Sequence, residues 1–469
     1  MPLDLKGLIT ARLGENYDLH ARHLNSTLVQ VQRIIGFDAV YANAQGAWLY
    51  DLEGNAYLDF LSGYSVFNIG RNHPAVKRAL HDVLELDLPN MVQMDCSLLS
   101  GLLAEALLKK VPPHLDAIFF CNSGAESVEG AIKFARAATG RSGLVSLEGS
   151  FHGLTNGALS VMGDSHFRDG FGSLLQDCAR VALGDLGALA ARLAHRDVAA
   201  LIVEPVLGKG VRFPRDNFFR EAQRLCREHG TLLICDEVQT GLGRTGRWWG
   251  FEHFGLEPDI ITVAKSLSGG YVPCAAVVTR RAIYQKTFHS LDRCVVHSST
   301  FGRNNLAMAC GLATLQVLEE EGLVERARDR GADLLGRLTE LKERHSLIKE
   351  VRGLGLMIAI EFHEPRELAP RMGWKLLHRV EPELFGQMLV TSLFSKHRIL
   401  TQLAGHGMDV IKILPPLIIG EKEIAHFVTA LDAVLTECRS FPGPIWELGS
   451  NFVRHSLKRT SRERVPAES

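Results

Sequence analysis

The 469-residue chain has no uninterrupted apolar run of about 18 residues, so no membrane-spanning helix is expected. It has no excess of either charge: 52 Lys and Arg stand against 53 Asp and Glu, a formal net charge of −1. That balance argues against nucleic acid as the main partner, because phosphate contacts need a basic surface. Nine cysteines, an odd number, run from Cys96 to Cys438 without a CxxC pair. Neither a disulfide framework nor a metal site is indicated, and the usage fits a reducing compartment. No GxGxxG follows an early strand, which disfavours a dinucleotide-binding dehydrogenase. The opening MPLDLKGLITARLGENYDLH contains no apolar signal core. The expectation is a cytoplasmic α/β enzyme, long enough for one large unit and a smaller lobe.

What the chain does contain centres on residues 231–279. The apolar run Leu232-Leu233-Ile234-Cys235 ends at two carboxylates, Asp236 and Glu237, and a Gly-rich loop follows. A second run, Ile260-Ile261-Thr262-Val263, leads into Ala264-Lys265-Ser266. Continuous short apolar runs of this kind predict buried strands of a parallel sheet. Ligands of open α/β sheets bind at the carboxyl ends of the strands, which sets Asp236 and Lys265 toward one crevice. A lysine amine that can form a Schiff base and a carboxylate that can keep a pyridine nitrogen protonated suit pyridoxal phosphate (PLP).

The stretch DEVQTGLGRTG followed by PDIITVAKSLSGG resembles the signature of class III (ornithine/ω-amino acid type) aminotransferases. The resemblance covers roughly residues 30–438. It implies the PLP-dependent transferase fold type I: a large domain with a mostly parallel seven-stranded sheet and a smaller α/β C-terminal domain. The expected division is an N-terminal segment at 1–65, a PLP-binding domain at 66–315, a small domain at 316–440 and a basic, aromatic tail at 441–469. By resemblance, Lys265 is the Schiff-base lysine, Asp236 the partner of the ring nitrogen, Val238 a ring-packing residue and Gln239 a neighbour of the cofactor phenol oxygen. The carbonyl acceptor and the amino donor are then small molecules that take turns in one site.

Other segments fit the same frame. Residues 46–60 alternate apolar and polar positions around an Asp/Gly/Asn turn, a hairpin signal. Tyr64 follows it, where ornithine-type members have a pocket tyrosine. Asn122-Ser123-Gly124-Ala125 turns into a helix predicted to reach about Ala138, and a Ser-Gly turn at a helix N-terminus is a phosphate site. Ser123, Gly124 and Ala125 are therefore assigned to the cofactor phosphate. Phe151 matches the aromatic that stacks on the pyridine ring, His152 either touches substrate or caps its loop, and Glu204 lies near the cofactor. Thr300 matches the threonine that reaches the phosphate of a partner subunit's cofactor, which implies a homodimer with a shared active site. Residues 351–362 read as one Gly-kinked strand opening the small domain.

The sequence departs from its family at the carboxylate clamp. Where amino-acid-specific members carry a Gly-Glu pair, this chain has Gly208-Lys209; before the late Pro-Pro, an arginine is replaced by Lys412; after the Phe-His-Gly loop, another is replaced by Leu154. Two lysines cannot make the missing ion pair, and if both faced the pocket they would repel unless an anion bridged them or one were neutral. The alternative is that both point to solvent. The Gly-Lys-Gly variant and the long tail resemble aminotransferases that aminate hopanoid lipids (ribosylhopane to aminobacteriohopanetriol). An ω-amine or polyamine transaminase of the putrescine or ornithine type and an intramolecular aminomutase are the alternatives. The tail reads either as a frayed basic end or as an interfacial segment in peripheral contact with the inner face of a membrane.

Overall fold

The computed structural model of the protein describes residues 2–92, 94–379, 383–440 and 443. All of the expected tail but Gly443, and with it the membrane contact, lies outside the described residues.

Seven strands form the central sheet, in the order Ala117–Cys121, Ala275–Thr279, Ile260–Val263, Leu232–Asp236, Val198–Val203, Gly143–Leu147, Cys178–Val181. All neighbours are parallel except Ala275–Thr279, which runs against both strands beside it. The inner strands are apolar on both faces because both faces are covered; every residue from Val198 to Val203 is buried. The helix Gly124–Thr139 starts at Ser123, whose hydroxyl accepts from the Glu126 amide at 3.2 Å, and ends at Gly140 in the left-handed region.

Two four-stranded sheets flank this one. The first pairs Tyr41–Gln45, Trp48–Asp51 and Ala56–Asp59 as an antiparallel meander, so the predicted hairpin is present. Ile399–Leu400 joins it in parallel beside Ala56–Asp59, tying the start of the chain to its last third. The second takes Ile348–Leu354, Met357–Phe362, Val410–Ile413 and Gln402–Leu403 in that order. Here the sequence reading needs correction: residues 348–362 are two antiparallel strands rather than one kinked strand. The chain reverses at Gly355, where φ is 53° and a Cβ would stand 2.3 Å from the Thr245 carbonyl carbon. No helix among the described residues is long and apolar enough to cross a membrane.

The three sheets meet at Arg244, whose side chain is fully buried. Its Nε donates to Ser65 Oγ (2.6 Å), Nη1 to the carbonyls of Leu356 (3.0 Å) and Pro415 (2.5 Å), and Nη2 to Asn68 Oδ1 (2.6 Å) and Ser62 Oγ (3.4 Å). Burial pushes its pKa down to about 9, against the pull of Asp59. The segment it grips is strained: Ser62, Gly63, Tyr64 and Ser65 all have positive φ, at 44°, 62°, 61° and 76°. A left-handed conformation costs a residue with a Cβ about 1–2 kcal/mol. The guanidinium therefore fixes a turn that the local sequence would not hold alone. Arg244→Met leaves buried carbonyls and an amide oxygen without donors, and is expected to lower stability by about 3 kcal/mol or more, read as a fall in thermal midpoint.

Candidate active site

The carboxyl ends of the central strands open into a cavity of about 1080 Å³. Asp236 is the last residue of its strand, Glu204 directly follows Val198–Val203, and Lys265 lies two residues past Ile260–Val263. Lys265 has φ of 46°, which a residue with a Cβ adopts only when its surroundings enforce it. Withdrawal from water lowers its pKa below the usual lysine range, while Asp236 and Glu204 pull the other way. Lowered basicity is what a nucleophilic lysine needs.

Asp236 is buried and fixed from three directions. His152 Nδ1 lies 2.7 Å from Oδ2, and Thr262 Oγ1 and the Val238 amide donate to Oδ1 at 3.0 and 3.1 Å. His152 must carry its proton on Nδ1 to make that contact, and its buried Nε2 has no hydrogen-bond partner. His152 lines the cavity and holds Asp236 in place through Nδ1. Thr262 was not picked out from the sequence. The available signal is one hydroxyl inside an apolar strand, in register with Asp236 on the neighbouring one. Glu237, the second acid of the pair, turns away and accepts from Thr240 Oγ1, Gly250 N and Phe251 N at 2.6–2.9 Å, closing the Gly-rich loop.

Glu204 accepts from the amides of Phe151 (2.7 Å) and Gly208 (2.8 Å). Burial raises its pKa; His152 opposes this and Asp236 adds to it. Phe151 and Val238 both line the cavity, and Ser123, Gly124 and Ala125 bring the N-terminus of Gly124–Thr139 to it. Gln239 Nε2 donates to the Tyr64 carbonyl at 3.2 Å, and the Tyr64 ring enters the lining. Thr300 is exposed and does not line the cavity of its own chain.

Lys209 and Lys412 point into the cavity, not to solvent, and are 8% and 5% exposed. The expected repulsion is offset at Lys209 by a carboxylate and is felt at Lys412 as a loss of basicity. Lys209 pairs with Asp164 and stands over the Phe167 ring, 4.2 Å from its centroid. Lys412 donates to the Gly208 carbonyl at 2.9 Å, with the Tyr64 ring centroid at 5.4 Å. Burial pushes the Lys412 pKa down to about 7, with Lys265 and Lys209 adding to the fall and Glu204 opposing it. Asp164 and Phe167 are further residues the sequence did not reveal. Asp164 caps a single 3-10 turn, Ser165–Phe167, too short to show periodicity, and Phe167 packs edge-on against Phe151 at 5.5 Å.

The sequence profile described as "Aminotransferase class-III" matches residues 31–435. The chain belongs to the class-III aminotransferases. It is 39% identical over 392 residues to an acetylornithine aminotransferase of Methanopyrus kandleri, covering 83% of this chain and 92% of that one. It is also 35% identical over 459 residues to the aminotransferase PigE of Serratia sp., covering 91% of this chain but only 54% of PigE, so it spans about half of that longer protein. Among solved structures, an amine transaminase from an uncultivated Pseudomonas species in its PLP-bound form aligns with a TM-score of 0.74 at 29% identity, over 85% of this chain and 95% of that one. The architecture is the PLP-dependent transferase fold type I, and the enzyme uses PLP as its family does.

The residues present fit that cofactor. The first-turn amides of Gly124–Thr139 and the Ser123 hydroxyl suit a phosphate dianion. A Cβ on Gly124 would come within 3.0 Å of Val238 Cγ1, so glycine keeps the space beside the helix N-terminus clear. Lys265 reaches the same cavity as the buried, hydrogen-bonded Asp236. Lys265→Ala is expected to abolish the cofactor's visible absorption band and to cut turnover by roughly 10²–10⁴-fold. Asp236→Asn is expected to retain PLP, seen by its fluorescence, while losing turnover on a similar scale.

Proposed function

We propose that the enzyme moves an amino group from an amino-acid donor to a bulky, largely apolar aldehyde or ketone. One observation carries this reading. No arginine lines the cavity among the described residues, whereas Val31, Ile35, Val66, Phe167, Val272 and Leu403 do. A site built for two carboxylates would offer planar bidentate guanidinium groups. This one offers apolar wall, and a hopane-type lipid ketone belongs to the class of acceptor that such a wall suits.

The roles of the side chains follow from their placement. PLP, when bound, supplies a ring that withdraws electrons from the carbon bearing the amino group. Lys265 Nζ, of lowered basicity, holds the cofactor and then carries the proton from one carbon to the other. Asp236, braced by His152, Thr262 and the Val238 amide, keeps its negative charge aimed at the ring nitrogen. With PLP bound, Ser123, Gly124 and Ala125 would hold the phosphate, Phe151 and Val238 would pack against the ring, and Gln239 would stand near its phenol oxygen. Phe167, edge-on against Phe151, adds apolar wall to the chamber. A homodimer completes the site, with the exposed Thr300 of each copy reaching the phosphate of the other.

The acceptor reading is tested with straight-chain aldehydes from butanal to dodecanal and with a sterol-like ketone. Each buried methylene contributes about 0.8 kcal/mol, so kcat/KM is expected to rise roughly fourfold per added carbon until the cavity is filled. A flat series, or a clear preference for 4-aminobutanal or N-acetylglutamate semialdehyde, would overturn it in favour of a polyamine or ornithine-type acceptor.

A further inference from the structure

A lysine buried beside a substrate chamber needs a partner for its charge, and Lys209 has one within the protein. We propose that Lys209 and Asp164 form a latch that holds the turn carrying Phe167 against the chamber. Phe167 thereby selects acceptors with a long apolar body, and Lys209 is a positioning residue, not a substrate ligand. The inference deepens the proposed function and rests on it for the acceptor being apolar.

The lysine comes from a well-tied loop. On one side of it, the Gly208 amide donates to Glu204 at 2.8 Å and the Gly208 carbonyl accepts from Lys412 at 2.9 Å. On the other, Arg352 Nη2 donates to the Gly210 carbonyl at 2.7 Å, and the Gly210 amide to the Ala404 carbonyl at 3.4 Å. The aspartate stands on weaker ground. The segment it caps, Ser165–Phe167, is one 3-10 turn, and residues 169–173 beyond it are all exposed. Asp164 joins the two with its two oxygens: Oδ1 accepts from the His166 amide at 2.9 Å and caps the turn, while Oδ2 accepts from Lys209 Nζ. The Phe167 ring meets the same ammonium, 4.2 Å from its centroid, and stands edge-on to Phe151 at 5.5 Å. His406, which also lines the chamber, completes the group, its ring centroid 4.0 Å from that of His166 and 5.8 Å from that of Phe167.

An ammonium withdrawn from water is costly to leave unpaired, which keeps Lys209 on its carboxylate. Burial pushes the Asp164 pKa up, but the hydrogen bonds from Lys209 and the His166 amide outweigh it, so the carboxylate is ionised at neutral pH. A cation against an aromatic ring gains more when both are desolvated, so the pair fixes the ring as well as the turn. One 3-10 turn has few backbone hydrogen bonds with which to hold its own position. Held in place, the Phe167 ring offers an acceptor chain a ready apolar wall. On a loosened turn, the acceptor must order the ring as it binds, which weakens binding. The latch therefore acts through Phe167, and on KM more than on kcat.

The test measures kcat/KM of the PLP-loaded enzyme for decanal and for butanal, with L-alanine as donor. It compares the native protein with Asp164→Asn, Phe167→Ala and the double variant. Asp164→Asn keeps an acceptor for the His166 amide and removes the charge. The decanal-to-butanal ratio is expected to fall roughly tenfold in Asp164→Asn and roughly thirtyfold in Phe167→Ala, carried by the KM for decanal. Because the pair acts through the ring, the double variant is expected to match Phe167→Ala within about twofold, where independent contributions would multiply. Amide hydrogen exchange reads the latch without turnover. Residues 164–168 are expected to exchange about tenfold faster or more in Asp164→Asn, with Val198–Val203 unchanged. Unchanged exchange at 164–168, equal losses for the two aldehydes, or multiplied losses in the double variant would overturn the proposal. So would a gain for L-alanine over isopropylamine as donor in Asp164→Asn, which would make Lys209 a receptor for substrate carboxylates. If the native enzyme shows no preference for the longer aldehyde, the acceptor reading fails by itself, and the exchange result still decides whether the pair holds the turn.

Discussion

The Arg244 guanidinium is the contact on which the active-site geometry depends. Its donors reach two hydroxyls and an amide oxygen of residues 62–68, the carbonyl of Leu356 in the turn of the 348–362 hairpin, and the Pro415 carbonyl beyond the last small-lobe strand. Among the described residues no carboxylate hydrogen-bonds the guanidinium; hydroxyls, carbonyls and an amide oxygen surround it, burial pushes its pKa down to about 9, and Asp59 acts on it at longer range. The strain in the left-handed turn at residues 62–65 is thereby offset by contacts elsewhere. Tyr64, carried on that turn, and Lys412, three residues before Pro415, meet in the cavity lining, with Lys412 Nζ 5.4 Å from the Tyr64 ring centroid.

Around this scaffold the chamber solves an electrostatic problem. Three lysines and the buried carboxylates Glu204 and Asp236 share a space withdrawn from water, where unpaired charge is expensive. Each group has a different resolution. Asp236 receives hydrogen bonds from a histidine, a hydroxyl and an amide; Glu204 receives two amides; Lys209 has Asp164; Lys265 and Lys412 become weaker bases.

Much of the fold was legible because buried parallel strands are short, apolar and end in polar residues. Val198–Val203, Leu232–Asp236 and Ile260–Val263 could each be read directly, and the residues just past them gave Glu204, Asp236 and Lys265. The hairpin at 348–362 was misread as one strand because a glycine between two apolar runs fits a kink as well as a reversal; only the close approach of Gly355 to Thr245 distinguishes them. His152 was ambiguous because its role is set by Asp236, 84 residues away. Arg244 sat in plain view within the family motif, but its contacts lie more than a hundred residues off in both directions, and no local pattern encodes them. Asp164 and Phe167 belong to one short 3-10 turn and its cap, where periodicity carries no information. The clamp substitutions at Lys209 and Lys412 were visible as departures; whether they repelled each other depended on Asp164 and on burial, neither of which a sequence displays.

The central claim is that one chamber runs two half-reactions with unlike substrates. The most direct measurement mixes the PLP-loaded enzyme with L-glutamate or L-alanine alone and follows the visible band, then adds a long-chain aldehyde. The account predicts that the amino acid removes the band with release of one equivalent of keto acid, and that the aldehyde restores it with formation of the amine. Persistence of the band with every amino donor, or its loss without a keto acid and without recovery by any carbonyl compound, would contradict it.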